Sequence, residues 1–163
     1  MNITIHPHSS LENYKYADIV SIYQDKWILS KHKNRSTWET QGGHIKPNES
    51  PLECAGRELY EESGAVDFDI YPLCDYALQG EFNGRDVTGN SQVFFAVVRS
   101  LSNIPKNSEM ECIDFFSQLP DNLTYPVLSD LFKIAESMRM KIRKQMPEVV
   151  CLDTSSPTSP NCS

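Results

Sequence analysis

A chain of 163 residues has room for one domain with a sizeable core. Its 22 acidic and 15 basic residues give a formal net charge of −7 and a pI near 5.0, which argues against a bulk nucleic-acid binder. No apolar run approaches membrane-spanning length, and Met1-Asn2-Ile3-Thr4 lacks the basic and apolar regions of a signal peptide. Cys54, Cys74, Cys112, Cys151 and Cys162 are scattered and form no CxxC. Neither a zinc site nor a disulfide framework is suggested, and a reduced, cytoplasmic setting is expected, with no membrane partner.

Residues 1–14 are polar and read as an exposed leader or an edge strand. His6 and His8, two apart, form half of a metal-ligand pattern that nothing nearby completes. ADIVSIY from Ala17 and WILSKHK from Trp27 read as a hairpin turning at Gln24-Asp25-Lys26. Lys31, His32, Lys33 and Arg35 follow as a dense basic run, either a solvated loop or a set of phosphate contacts. Trp38 to Gln41 is a short strand that enters Gly42-Gly43, where glycine permits a tight backbone turn.

The next segment carries the strongest local signals. Ser50-Pro51-Leu52-Glu53 is a capping box with proline at the first helical position, and Gly64 suits the position just past a helix end. The helix is therefore expected over about 51–63. At about 100° per residue, Leu52, Ala55, Gly56 and Leu59 share one face. Glu58, Glu61 and Glu62, related by i, i+3 and i+4, cluster away from it. Like charges this close repel and raise one another's pKa unless a cation compensates, and hard oxygen donors suit Mg²⁺ or Mn²⁺. The alternative is a solvated acidic face with an Arg57–Glu61 pair.

Beyond the helix, Phe68 to Leu78 reads as a strand and Gln79 to Asn90 as a polar loop with Asn83-Gly84 and Gly89-Asn90 turn signals. Gln92 to Val98 is a buried strand, Ser100 to Ser108 a loop, and Glu109 to Phe116 leads into another strand. Leu119-Pro120 turns the chain. A last helix is expected over roughly 126–145, packing Leu128, Leu131, Phe132, Ala135 and Met138 on the sheet. Its basic end (Arg139, Lys141, Arg143, Lys144) suits the negative end of the helix dipole. Residues 147–163, rich in Ser, Thr and Pro, are expected to be a disordered tail to a domain of residues 1–146.

Gly43, Glu49, Arg57, Glu58, Leu59, Glu61, Glu62 and Gly64 fall in the register of the Nudix box, a glycine, five residues, a glutamate, seven residues, then R-E-U-X-E-E-X-G-U. The last aliphatic position is Ala65, small but apolar, so that departure bears on packing rather than chemistry. Trp38-Glu39-Thr40-Gln41-Gly42-Gly43 resembles the W-E-x-P-G-G strand of MutT-type members, with Gln41 where proline is usual. Glu111 to Leu123 resembles their late strand and Leu-Pro turn. The chain thus resembles the Nudix hydrolase superfamily. The resemblance implies an α/β (α+β) fold, the Nudix α/β/α sandwich, with a mixed sheet, a catalytic loop-helix-loop and a C-terminal helix.

The resemblance also implies chemistry. Glu58, Glu61, Glu62 and the Gly43 carbonyl would hold Mg²⁺, with Mn²⁺ able to substitute. The general base would be Glu58 or a loop glutamate, Glu109 or Glu111, and Arg57 would orient carboxylates with Glu49 as its partner. Lys33, Arg35, Glu39, His44 and Phe82 would face the substrate, Phe82 from the loop that borders the pocket in this fold. The implied reaction is hydrolysis of a nucleoside diphosphate-linked small molecule. The closest likeness is to MutT-like and bacillar 8-oxo-dGTP diphosphatases, which release a monophosphate and pyrophosphate. Residues 77–83 lack the proline typical of ADP-ribose members, and no coenzyme-A signature precedes the box. Dinucleoside polyphosphates, nucleotide sugars and RNA 5′ ends remain alternatives, as does a non-catalytic nucleotide-binding module, in a monomer or homodimer. A pure scaffold would leave the glutamate cluster unexplained.

Overall fold

The computed structural model describes residues 1–145, so the tail expected over 147–163 lies outside the described residues. The elements run β1 (Asn2–His6), β2 (Tyr14–Tyr23), β3 (Lys26–His32), β4 (Trp38–Glu39), β5 (Gln41–His44), α1 (Pro51–Ser63), β6 (Ala65–Phe82), β7 (Arg85–Leu101), β8 (Met110–Phe116) and α2 (Leu128–Gln145). The strands form one mixed sheet in the order β1-β6-β7-β2-β3-β4, with β5 added to β2 and β8 to β3. The β2–β7 pair is parallel and its neighbours are antiparallel.

Strand alternation divides the core into two layers. On β2 and β7, Ala17, Ile19, Phe94, Ala96 and Val98 face α1 with Cys54, Ala55 and Leu59. Val20, Ile22, Val93, Phe95 and Val97 face α2 with Leu128, Leu131, Phe132 and Ala135. A sheet with a helix on each face is the expected α/β/α sandwich. The first hairpin turns at Gln24-Asp25, both with positive φ, and Lys26 already belongs to β3. Residues 2–6 form the expected edge strand against β6.

Four details differ from expectation. Residues 79–90 are not a loop. β6 and β7 continue as a ribbon paired from Ala65↔Leu101 to Phe82↔Arg85, turning only at Asn83-Gly84, whose positive φ values of 51° and 75° suit a two-residue hairpin. Gly89-Asn90 therefore lies within a strand. Gly42-Gly43 makes no turn either, because both glycines lie in β5, paired with Asp18 and Ala17. Leu52 is 52 % exposed, and the buried side of α1 is Cys54, Ala55, Leu59 and Ser63. The basic end of α2 does more than complement a dipole. Arg139 is buried over the Trp27 ring at 4.6 Å and donates to Asp25 O at 3.0 Å, and Arg143 Nε donates to Asp25 Oδ1 at 2.9 Å. Both arginines clamp the β2–β3 turn.

Candidate active site

Helix α1 is fixed at both ends as its sequence implies. Ser50 Oγ accepts from the Glu53 N–H at 3.2 Å, Glu53 Oε2 accepts from the Ser50 N–H at 2.8 Å, and Gly64 ends the helix at φ 79°. Burial of Leu59, Ala55 and Cys54 sets its rotation, which turns Glu58 and Glu62 toward β5 and Glu61 toward solvent.

Arg57 is the hub of the cluster. Its Nε and Nη2 grip Glu49 Oε1 and Oε2 at 2.7 and 2.9 Å. Nη1 donates to Glu58 Oε1 at 2.6 Å and Glu61 Oε2 at 3.1 Å, and Nη2 reaches His44 O at 3.2 Å. Hydrogen bonds from Arg57 hold the Glu49 carboxyl down at about 2, while the Glu49 contact, ahead of Glu58, raises Arg57 itself. Glu62 lies deeper. Its Oε2 accepts from the Gly42 N–H at 2.9 Å, and burial pushes its carboxyl up to about 9, with Glu58, Glu39 and Asp18 adding like charge. Burial likewise raises Glu58, against the pull of Arg57.

Among the described residues no three acidic, cysteine or histidine side chains converge as a ready-made metal site. The chemistry of the donors still fits a divalent cation. One cationic nitrogen already bridges Glu58 and Glu61, and among the described residues no cation pairs with the sunken Glu62 carboxyl, which burial pushes toward its protonated form. Gly43 lies beneath this cluster, where an added Cβ would stand 2.4 Å from Glu58 Oε1, and its carbonyl lies 3.8 Å from Cys54 Sγ.

Gly43 also lines a cavity of about 630 Å³ between the sheet and the start of α2, within the usual ligand-pocket range of about 300–1,000 Å³. Of the basic run, only Arg35 lines it. Arg35 Nη1 holds both oxygens of Glu39, at 2.9 and 2.7 Å, and Tyr125 OH at 3.3 Å. The remaining three turn to β8 and the loop before it. Lys31 pairs with Glu111 at 2.8 Å, His32 faces Glu109 at 3.7 Å, and Lys33 Nζ donates to Ser108 O at 2.5 Å. Glu109 and Glu111 thus meet the basic run, and Glu109 is 81 % exposed at its side chain. His44 and Phe82 do line the cavity. His44 meets Tyr16 edge-on at 4.7 Å, and Phe82 leans on Tyr125 at 5.3 Å.

The sequence reading missed Asp18. It lines the cavity, and its Oδ2 accepts from Tyr76 OH at 2.8 Å and Ser91 Oγ at 2.5 Å. Burial raises its carboxyl against those two donations. Lys15, Tyr16, Arg85 and Tyr125 were missed as well. A charged residue inside the apolar alternation ADIVSIY was the available signal for Asp18.

An acidic helix over a glycine strand, opening into a mixed aromatic and charged pocket on an α/β/α sandwich, defines a Nudix-type site. The NUDIX domain family model matches residues 14–129, so the chain belongs to the Nudix hydrolase family. A Bacillus subtilis protein, YtkD, named as a candidate 8-oxo-dGTP diphosphatase, is 28 % identical over 110 residues, 68 % of this chain and 66 % of its own. The chain thus spans about two thirds of the length of that curated relative. A crystal structure of the Bacillus subtilis pyrophosphohydrolase BsRppH superposes with TM-score 0.71 at 22 % identity, covering 83 % of this chain and 90 % of that one. The NUDIX domain of Shewanella oneidensis NrtR, solved with ADP ribose, gives TM-score 0.59 at 17 % identity over 82 % and 91 %. Among the described residues no helix is long and apolar enough to cross a membrane.

Proposed function

We propose that the protein hydrolyses a nucleoside triphosphate, in the first place an oxidised one such as 8-oxo-dGTP, to the monophosphate and pyrophosphate. The observation that carries this reading is the junction at Gly43. One side of that strand meets the Glu58 carboxylate, and the same residue lines a cavity large enough for a nucleoside. Likeness to the candidate 8-oxo-dGTP diphosphatase from Bacillus subtilis supports the substrate class.

Mg²⁺, or Mn²⁺ in its place, would be held by Glu58, Glu61, Glu62 and the Gly43 carbonyl; when bound, it neutralises phosphate charge and acidifies water. The chain's own groups do the rest. Glu58, raised by burial, or the loop glutamate Glu109 or Glu111 would accept the proton of the attacking water. Arg57 and Glu49 hold the carboxylates in position. Arg35 and His44 at the cavity wall meet the phosphates, and Phe82 with Tyr125 offers an aromatic surface to the base. A nucleotide panel with Mg²⁺, containing 8-oxo-dGTP, dNTPs, ADP-ribose and dinucleoside polyphosphates, tests the reading. Pyrophosphate release from a triphosphate supports it. Failure on every triphosphate, with turnover of another substrate on the panel, overturns it in favour of that substrate.

A further inference from the structure

Gln41 opens β5, and its side chain is fully buried, with both the amide oxygen and the amide nitrogen hydrogen-bonded. Ser21 Oγ donates to Gln41 Oε1 at 2.7 Å. Gln41 Nε2 donates to Ser30 Oγ at 2.8 Å and, at longer range, to Ile28 O at 3.4 Å. Ser30 Oγ donates in turn to Glu62 O at 2.9 Å. A hydroxyl has one proton, so the chain of bonds runs one way, from β2 through β5 and β3 to the last turn of α1. Ser21 and Ser30 are as buried as Gln41, so no water competes for these bonds. The carbonyl of Glu62 is one of the four at the helix C-terminus that lack an intrahelical partner, and Ser30 supplies one.

The residue after Gln41 adds a second tie. The Gly42 N–H donates to Glu62 Oε2 at 2.9 Å. Both ends of Glu62 are therefore tied to β5, its carbonyl through Ser30 to the Gln41 side chain and its carboxylate directly to the Gly42 backbone. Proline at 41 has no amide group to offer Ser21 or Ser30 and could make neither side-chain bond.

We propose that Gln41 is a positioning residue for the Glu62 carboxylate, acting through Ser30, and that it sets the affinity of this chain for its divalent cation. The inference rests on the metal-dependent reading above.

The test compares Gln41→Leu, Ser30→Ala, Ser30→Thr and the double variant Ser21→Ala/Gln41→Leu with wild type. The readouts are Mn²⁺ binding by calorimetric titration, thermal midpoint, and turnover against Mg²⁺ and nucleotide separately. Gln41→Leu and Ser30→Ala are expected to weaken Mn²⁺ binding about 10-fold or more, the usual size of the effect for residues that orient a ligand. KM for nucleotide at saturating Mg²⁺ should change less than about twofold, because the cavity residues are untouched. Ser30→Thr keeps the hydroxyl and should keep the affinity. The double variant separates positioning from mere packing. It removes the Ser21 hydroxyl that Gln41→Leu leaves without an acceptor, while Ser30 still donates to the Glu62 carbonyl, so it regains stability lost by Gln41→Leu, yet its Mn²⁺ binding stays weak. Recovery of Mn²⁺ affinity along with stability in the double variant overturns the proposal, as does wild-type affinity in a folded Gln41→Leu or Ser30→Ala protein. A wild type that neither binds Mn²⁺ nor hydrolyses nucleotides overturns the functional reading itself, so the two failures are distinct.

Discussion

Arg57→Lys keeps the positive charge and removes the fork that organises the cluster. The guanidinium serves Glu49 through Nε and Nη2 on one side and Glu58 and Glu61 through Nη1 on the other. A lysine ammonium concentrates its donors at one point and cannot reproduce the bidentate grip. Glu49 is the partner that loses most, with 13 % side-chain exposure and both oxygens engaged. Hydrogen bonds to charged groups contribute about 1.5–3 kcal/mol each. Loss of one such bond, moderated by solvent at the cluster rim, gives a destabilisation of about 1–2 kcal/mol. For a chain of this size, each kcal/mol shifts Tm by roughly 2–4 °C, so a drop of about 2–8 °C is expected. Denaturant titration and thermal melts of wild type and variant without divalent cations measure the two. The pH dependence is a second check. Arg57 holds the folded-state pKa of Glu49 at about 2, below the ordinary 4.5, so the stabilisation is complete above 4.5 and fades as pH falls toward 2. The gap between wild type and Arg57→Lys should close over that window. Equal stability at pH 7, or a gap undiminished at the acid end, would refute the reasoning.

Glu62→Gln is expected to abolish turnover with the fold intact. Without divalent cations the wild type should lose stability as pH rises from 4.5 toward 9, because the folded state keeps a proton that the unfolded chain has released; the variant should lack this decline in denaturant titrations. Gly43→Ala forces the flexible end of Glu58 aside and should cut kcat about 10-fold or more with little change in Tm. Gly42→Ala meets the Ala17 carbonyl at 2.8 Å, which is backbone and cannot swing away, so it should cost about 1–3 kcal/mol in a thermal or denaturant assay. Asp18→Asn should change the ratio of kcat/KM among purine triphosphates more than it changes Tm, since the side chain faces the cavity; an unchanged ratio removes it from base recognition.

The limits of helix α1 were legible because end signals are local. Ser50, Pro51, Glu53 and Gly64 act within one turn of themselves. Its rotation was less legible, because apolar periodicity counts only apolar residues. The buried side of α1 also carries a thiol, a serine that donates to Leu59 O, and the sunken carboxylates of Glu58 and Glu62, while Leu52 faces solvent. The 79–90 segment read as a loop for a related reason. The outer half of the β6–β7 ribbon is only partly buried, and its apolar side is reduced to Leu78, Phe82 and Val87 among polar residues. Asn83-Gly84 was a true turn signal and Gly89-Asn90 was not, and only the pairing Leu78↔Gly89 and Ala77↔Asn90 separates them. Asp18 was hidden because its partners Tyr76 and Ser91 lie 58 and 73 residues away. The basic run at 31–35 could not be divided from sequence, because Glu109 and Glu111 claim their share of it only once β8 pairs with β3.

Two consecutive glycines in a strand point to opposite faces of a sheet, so they cannot serve the same purpose. Gly42 pairs with Asp18, and a side chain there would stand 2.4 Å from Asp18 Oδ1 on the cavity face. Gly43 pairs with Ala17, and a side chain there would stand 2.4 Å from Glu58 Oε1 on the helix face. The pair is therefore a wall thinned from both sides, with the Asp18 carboxyl on one surface and the Glu58 carboxylate on the other. An ordinary tight turn would need glycine for its φ, yet neither residue has a positive φ. The need here is for proximity. Gly43 lines the cavity and backs onto Glu58, so every side-chain atom added to the pair would part the cavity wall from the acidic helix. The same geometry explains why Gln41 matters. It is the first residue of the thinned strand with a side chain, and it points to the helix face, where its bonds to Ser21 and Ser30 fasten the strand that Glu62 leans on.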